Sequence, residues 1–279
     1  MLDAGPENLM QRSRGRAGIS FALREGAVRL VDLHQQGSAK AMLPRVSGPV
    51  PEVVFLNTSG GLTGGDFLAY EIDVGEGARV SATTQTAERA YCSLGAQARL
   101  RVRCQVGAGG RLDWLPQETI LFESAHLRRD TEIALFGDAS CLLVESVVLG
   151  RQAMGERPGM AQLADHRRVS RDGKPVWVER QQIGEGFLRD SEKPALLGGA
   201  RAFAVVALVA PGAEDALIPV RNVLDEPGCA AAASGWDGKC VVRVTAADGW
   251  PLKRQLARVL AVLSGRPLPR VWQMQGVIR

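Results

Sequence analysis

Cysteine is scarce and unpaired in pattern. The five are Cys92, Cys104, Cys141, Cys229 and Cys240, and no Cys-x-x-Cys occurs. That spacing excludes zinc ribbons, zinc fingers and thioredoxin-like centres. So few cysteines in a chain of 279 residues also argue against a disulfide framework and for reduced, mostly buried thiols. Histidine is scarcer still: His34, His126 and His166 stand far apart. Aromatics make up only 5%, which is thin for a sugar-stacking groove. No apolar run approaches the ~20 residues of a membrane-spanning helix. The strongest, Ala202–Ala210, is far shorter. Met1–Gly18 is polar and rich in Arg and Gly. It lacks the apolar stretch of a secretory signal and is expected to be a flexible arm, with residues 19–279 forming one domain. A net charge of +4 is too weak for a typical nucleic-acid binder, although its arginine-heavy excess suits acidic protein surfaces.

Glycine is what the chain has in quantity, and it concentrates in Asn57-Thr58-Ser59-Gly60-Gly61-Leu62-Thr63-Gly64-Gly65-Asp66. Doubled glycines suggest positive-φ backbone or a close approach by another group. Val53–Leu56 leads in and Leu68–Val74 leads out, so local chemistry reads the stretch as a glycine-rich hairpin between two strands. Leu68, Tyr70, Ile72 and Val74 alternate with Ala69, Glu71 and Asp73, a half-buried strand. Further strands are expected at Ala27–Leu33, Lys40–Leu43, Ala78–Thr84, Ala98–Val106, Arg111–Leu115, Thr119–Phe122, His126–Leu135 and Ser140–Leu149. His166–Arg171, Val176–Ile183, Ala202–Ala210 and Val241–Thr245 complete the set. In Ala98–Val106 the outer positions are Arg99, Arg101, Arg103 and Gln105. They read as a solvated face that discourages edge pairing, or alternatively as a docking stripe for an acidic partner.

Gly150–Gly159 is a loop, and Asp172-Gly173 is a hairpin turn. Ala213–Leu224 has helical spacing broken by Pro219, and Cys229–Ser234 has no assignable period. The clearest helix is Leu252–Leu263, with Leu252, Leu256, Val259, Leu260 and Leu263 on one face and Gly265 and Pro267 stopping it. No repeat of solenoid period is visible. The expected class is all-β with many short strands.

The glycine loop lacks the Lys-Ser/Thr of a phosphate-binding loop and the spacing of a dinucleotide fold. Ser59 stands outside any Gly-x-Ser-x-Gly context, so a serine hydrolase has no nucleophile elbow. Asp66, Glu118, Glu123, Glu145 and Glu156 are the carboxylates from which a hydrolase pair would be drawn. No metal-ligand cluster is visible, although strands distant in sequence can face one cavity.

Taken together in order, the blocks resemble the urease accessory protein UreD (UreH) family. Asn57–Asp66 is similar to its Asn-Thr-Ala-Gly-Gly-Leu-x-Gly-Gly-Asp signature, with Ser59 in place of the commoner alanine. Thr83-Thr84 and Tyr91-Cys92-Ser93 follow. Then come Trp114-Leu115-Pro116-Gln117-Glu118-Thr119-Ile120-Leu121-Phe122, with Ser124 where glycine is commoner, and Glu145 ahead of Leu149-Gly150-Arg151-Gln152-Ala153-Met154-Gly155-Glu156. Pro269-Arg270-Val271-Trp272 closes the resemblance, which runs from about Ser20 to Trp272. The motif positions are therefore Asn57, Gly60, Gly61, Gly64, Gly65, Asp66, Trp114, Pro116, Gln117, Glu118, Gly150, Arg151, Gly155 and Glu156.

The resemblance implies a mainly β, β-helix-like fold with two helices, no catalysis, no tightly bound cofactor and a cytoplasmic location. It implies a hetero-oligomer with UreF and the GTPase UreG that docks on apo-urease, with Ni²⁺ in transit through an internal tunnel. Asp66 and Glu156, beside glycine-opened backbone, are the expected path residues, with Glu118 and Glu145 as weaker candidates. The competing expectation is that these carboxylates hold tight turns or pair with Arg151. Two other functions compete with the maturation role: a stand-alone β binding module and a carboxylate-dependent hydrolase.

Overall fold

A computed structural model describes residues 12–46, 48–184 and 186–273. Its strands, in chain order, are β1 (Arg14–Arg24), β2 (Ala27–Gly37), β3 (Ala39–Met42), β4 (Glu52–Asn57), β5 (Phe67–Val74), β6 (Arg79–Thr84), β7 (Glu88–Ala90), β8 (Ala98–Val106) and β9 (Arg111–Leu115). There follow β10 (Thr119–Leu121), β11 (His126–Leu135), β12 (Ser140–Leu149), β13 (Gln162–Arg171), β14 (Lys174–Ile183), β15 (Ala202–Val209), β16 (Cys229–Trp236) and β17 (Lys239–Ala246). The α-helices among the described residues are α1 (Leu217–Arg221), α2 (Gly249–Ser264) and α3 (Arg270–Gln273). Only α2 is long, so the mainly β expectation holds.

The strands form two facing sheets. The first runs β14-β13-β11-β8-β5-β1-β2 and the second β16-β17-β15-β12-β9-β6-β4-β3. From β4 to β12 the chain passes from one sheet to the other and never turns back on itself within a sheet. Successive visits therefore pair in parallel: β5 with β8, β8 with β11, β4 with β6, β6 with β9 and β9 with β12. A narrow third wall joins them, where β10 lies parallel to both β7 and β12. This is a β-solenoid-like arrangement. Each coil advances about 30 residues, as Phe67 pairs with Arg99 and Ala98 with Leu127. The sequence hides that period because a coil needs only inward apolar residues, not repeated identities, and its loops differ in length. Antiparallel strands end the solenoid. Asp172-Gly173 and Asp237-Gly238, both residues of each pair at positive φ, turn the β13–β14 and β16–β17 hairpins.

Two apolar cores follow from this layering. The larger lies between the sheets, with Phe55, Tyr70 and Trp114 packed together; the Phe55 and Tyr70 rings are 4.7 Å apart. The second lies between the outer face of the second sheet and the helices. The second sheet is therefore covered on both faces, and that explains the apolar run of β15, buried along its whole length. In α2, Leu252, Leu256, Val259, Leu260 and Leu263 are buried; such side chains contribute roughly 1.5–3 kcal/mol each. The Asp248 carboxylate accepts from Gly249 N at 2.7 Å to begin the helix, and Gly265 at φ 65° ends it.

Several sequence expectations change. The glycine stretch is not a hairpin. β4 belongs to the second sheet and β5 to the first, so Asn57–Asp66 crosses between sheets and adds a turn of the third wall through a parallel Leu62–Ala90 bridge. Residues 1–11 of the expected arm lie outside the described residues. Arg14–Gly18 are strand, paired with both β2 and β5, because Gly15, Ala17 and Ile19 share a buried face. Cys229–Ser234 begins an edge strand whose small side chains leave little apolar signal. Pro219 does not break α1, since it stands in the first turn, where its missing N–H costs nothing. Finally, β8 is the middle strand of its sheet, so its arginines guard no edge.

Candidate functional site

Two of the motif loops, Asn57–Asp66 and Gly150–Glu156, meet at the third wall with β7, Tyr91 and β10. Asn57 organises the loop that opens it. Its Nδ2 donates to Gly61 O and to Glu88 Oε1, each at 3.2 Å, while its Oδ1 accepts from Ser59 N at 3.1 Å. Gly60, Gly61 and Gly65 take φ of 78°, 155° and 89°. A Cβ on Gly61 would stand 2.7 Å from Arg89 O and collide with the Tyr91 ring; one on Gly64 would meet Ser93 and Ala96 O. These glycines are thus required for conformation and for close approach together. Asp66 closes the loop from the buried side: Oδ1 accepts from Ser13 N at 2.7 Å and Oδ2 from Thr63 N at 2.9 Å. Both oxygens serve backbone donors, one in its own turn and one in the first strand's approach.

Contacts continue along the wall. Leu62 N donates to Arg89 O at 2.7 Å and Tyr91 N to Leu62 O at 2.8 Å. The Tyr91 ring lies 5.1 Å from Phe122, and the Arg151 guanidinium lies 4.7 Å from the same Phe122 ring. Gly150, at φ 71°, bends the chain from β12 into the second loop. There Glu156 Oε2 accepts from Arg151 Nε at 2.6 Å and from Arg151 N at 3.2 Å, while Oε1 accepts from Glu123 N at 2.9 Å. Although partial burial pushes the Glu156 carboxyl up, Arg151 and the two backbone donors outweigh it and hold the group below its ordinary value. Gly155 ends the short 3₁₀ turn at φ 67°. Asp66 and Glu156 therefore close two loops of one wall. On its surface Tyr91, Leu94 and Met154 are exposed.

Glu118 and Glu145 sit elsewhere. Pro116 and Gln117 are buried beneath α2; Gln117 Oε1 accepts from Lys253 Nζ at 2.7 Å, and Glu118 Oε2 lies 3.8 Å from the same ammonium. Trp272 donates to Leu115 O at 2.9 Å, so the closing segment pins the helices to this block. Glu145 points between the sheets. It accepts from Trp114 Nε1 at 3.2 Å and Thr131 Oγ1 at 3.0 Å, and pairs with Arg129 at 2.7 Å.

Glu145 is one end of a buried ionic network that sequence reasoning missed. Arg129 also meets Asp165 at 2.5 Å and Thr119 Oγ1 at 3.0 Å; Arg167 pairs with Asp165 and donates to Gln181 Oε1 at 2.8 Å. Glu179, 3.5 Å from Arg167, carries the chain of charges to exposed Arg243. Burial opposes the charge on Arg129, but Asp165 and Glu145 outweigh it and raise its pKa. Burial likewise pushes Asp165 up, while Arg129 and Arg167 hold it down. Period two gives the signal: Arg129 is in phase with Leu127 and Ile133, and Asp165 and Arg167 with Leu163 and Val169.

Glu88 was missed too. It faces a polar cavity of about 40 Å³ shared with Asn57, Gly60 and Tyr70. Burial pushes its carboxyl up to about 7, against the bond from Asn57.

Among the described residues no group of three or more His, Cys, Asp or Glu is arranged to hold a metal ion, and no helix is long and apolar enough to cross a membrane. Glu123, a candidate for an acid pair with Glu156, is spent on Gly159 N and Met160 N at 2.7 and 3.1 Å.

Comparison with known proteins gives the family. Residues 13–273 match the model of the UreD urease accessory protein family. The chain is 61% identical over 268 residues to "Urease accessory protein UreD" of Cereibacter sphaeroides, covering 96% of this chain and 98% of that one. It is 50% identical to the protein of that name from Paracoccus denitrificans, covering 98% and 97%. With the one from Jannaschia sp. it shares 47%, covering 98% and 100%.

Proposed function

The chain belongs to the UreD urease accessory protein family, whose role in urease maturation is non-catalytic, and from that premise we propose that it is the platform on which a nickel-delivery complex meets apo-urease. In this reading it works in the cytoplasm with UreF and the GTPase UreG, and Ni²⁺ is cargo that passes through or along it. The observation that carries the reading is the match to the family from residue 13 to residue 273.

Two features support a docking platform. The wall is held by side-chain to backbone bonds, and it presents Tyr91, Leu94 and Met154 outward. The carboxylates proposed for the nickel path, Asp66 and Glu156 with Glu118 and Glu145, stand apart and are each engaged by protein donors or cations. Engaged in this way they match the loop-closing and ion-pairing alternative, and in the path reading these bonds open as the cation passes, no site offering the full ligand set that would retain it.

The test is reconstitution. Cells making the urease subunits with UreF and UreG should yield nickel-poor, inactive urease without this chain, and nickel-loaded urease when it is restored. Full activity and nickel content in its absence would overturn the proposal.

A further inference from the structure

Three strands flank β8 on each side in the first sheet. Its outward residues Arg99, Arg101 and Arg103 therefore run along the middle of a broad, solvent-facing surface. Register extends the charge sideways. Arg99 stands opposite Arg128, Arg101 lies two strands from His166 and three from Arg180, and Arg103 lies two strands from Arg168. Five acids, Asp32, Glu71, Asp73, Asp130 and Glu132, share the face, and Arg16 pairs with Glu71 at 2.7 Å. Arg103 pairs with Glu132 at 3.3 Å and Arg128 with Asp130 at 2.8 Å. Arg99, Arg101, Arg168 and Arg180 make no ion pair with a described residue. Like charges directly opposite, as in Arg99 and Arg128, weaken a sheet and give no benefit within the chain.

We infer that this face docks a flat, carboxylate-rich surface of a partner protein. The permanent cations on β8, β11 and β13 are all arginine, whose planar fork grips carboxylates in pairs and is enriched at protein interfaces. The interspersed acids would repel a phosphate polyanion, but they match a protein surface carrying both signs. Phe67, the aromatic of this region, lies beneath Arg101 at 5.7 Å and offers no free ring for stacking a base. A sheet face without a groove fits a broad, shallow contact. The inference rests on the maturation reading only for the identity of the partners in the first test.

Arg99→Glu with Arg168→Glu reverses two charges on the face. Arg24→Glu with Lys174→Glu makes the same net change at the hairpin ends, where both residues are exposed. In the complex with UreF, UreG and apo-urease, the face variant should weaken association about tenfold and flatten its salt dependence, while the control stays near wild type. Wild-type affinity in the face variant, or equal loss in both, overturns the inference. Failure of the wild-type chain to assemble would instead sink the maturation reading. Binding of the full chain to poly-L-glutamate then decides the face, with the same order of variants expected. Equal losses there, or tighter binding to duplex RNA than to polyglutamate, would overturn it.

Discussion

A carboxyl raised by burial titrates where the unfolded chain has already lost its proton, and Glu88 is such a group. Its folded pKa is about 7 against an ordinary 4.5. Between those values the folded state holds the extra proton, so stability falls as pH rises through the window and is greatest below it. Glu88→Gln keeps an acceptor for Asn57 without the charge. It should be more stable than wild type by about 2–3 kcal/mol above pH 7, with the difference closing near pH 4.5. Urea unfolding across that range checks this; a difference independent of pH would refute it. Asp66 and Glu156 pose a different question, because each has both loop-closing bonds and a place in the proposed nickel path. Asp66→Ala frees two backbone donors and should cost about 1–3 kcal/mol. If Asp66→Ala and Glu156→Ala still assemble with UreF, UreG and urease but deliver less nickel, the path role holds. If assembly fails, the role is structural; if both activate urease normally at limiting nickel, the path role is wrong.

Strands of the first sheet alternate, and β8 and β11 have the bounds that alternation suggests. In the second sheet, covered on both faces, β9 and β12 are nearly continuous buried runs, legible from the turns that bound them. What alternation does not convey is which sheet a strand joins. The glycine stretch looked like a hairpin because a hairpin and a crossing between sheets both need positive φ. Only the partner residues at Arg89 and Tyr91 tell them apart. β10 was legible at Thr119–Phe122, but β7 has three residues, too short for any period to register. The site was legible as motif blocks but not as a wall, since their meeting depends on coil stacking. Two substitutions test these elements. Gly61→Ala should destabilise the chain by more than the ~1 kcal/mol typical of point mutants, because backbone at Arg89 cannot retreat as a flexible side chain would. Arg129→Met leaves Glu145 without a cation between the sheets and Asp165 with Arg167 alone, and should cost about 3–5 kcal/mol, read from chemical denaturation. A loss under 1 kcal/mol would mean that the network is not closed as described.

The molecule as a whole is a solenoid left unequal at its margins. Helices cover one face of the second sheet, and the antiparallel hairpins end the coil. At the far margin of the first sheet no described residue covers β2. It is an eleven-residue strand paired only to β1, exposed almost throughout, with Leu30, Val31 and Leu33 turned to solvent. Proteins usually blunt such an edge with lysine, proline or a bulge within the edge strand; Ala27–Gly37 contains no lysine and no proline, and its one device is a bulge at Val31, where Ser20 pairs with Asp32 and Phe21 with Leu30. A free row of N–H and C=O groups beside apolar side chains is a template for another strand. The isolated chain is therefore expected to self-associate, and Val31→Lys should raise its soluble, monomeric fraction without changing its thermal midpoint by more than a few degrees. Light scattering after size exclusion reads the mass, and circular dichroism confirms a β-rich spectrum in both. A wild-type chain that is monodisperse and monomeric at working concentration would refute the edge as the cause. So would a Val31→Lys variant that aggregates to the same extent, since the association would then have to arise elsewhere, most directly from Tyr91, Leu94 and Met154 on the third wall.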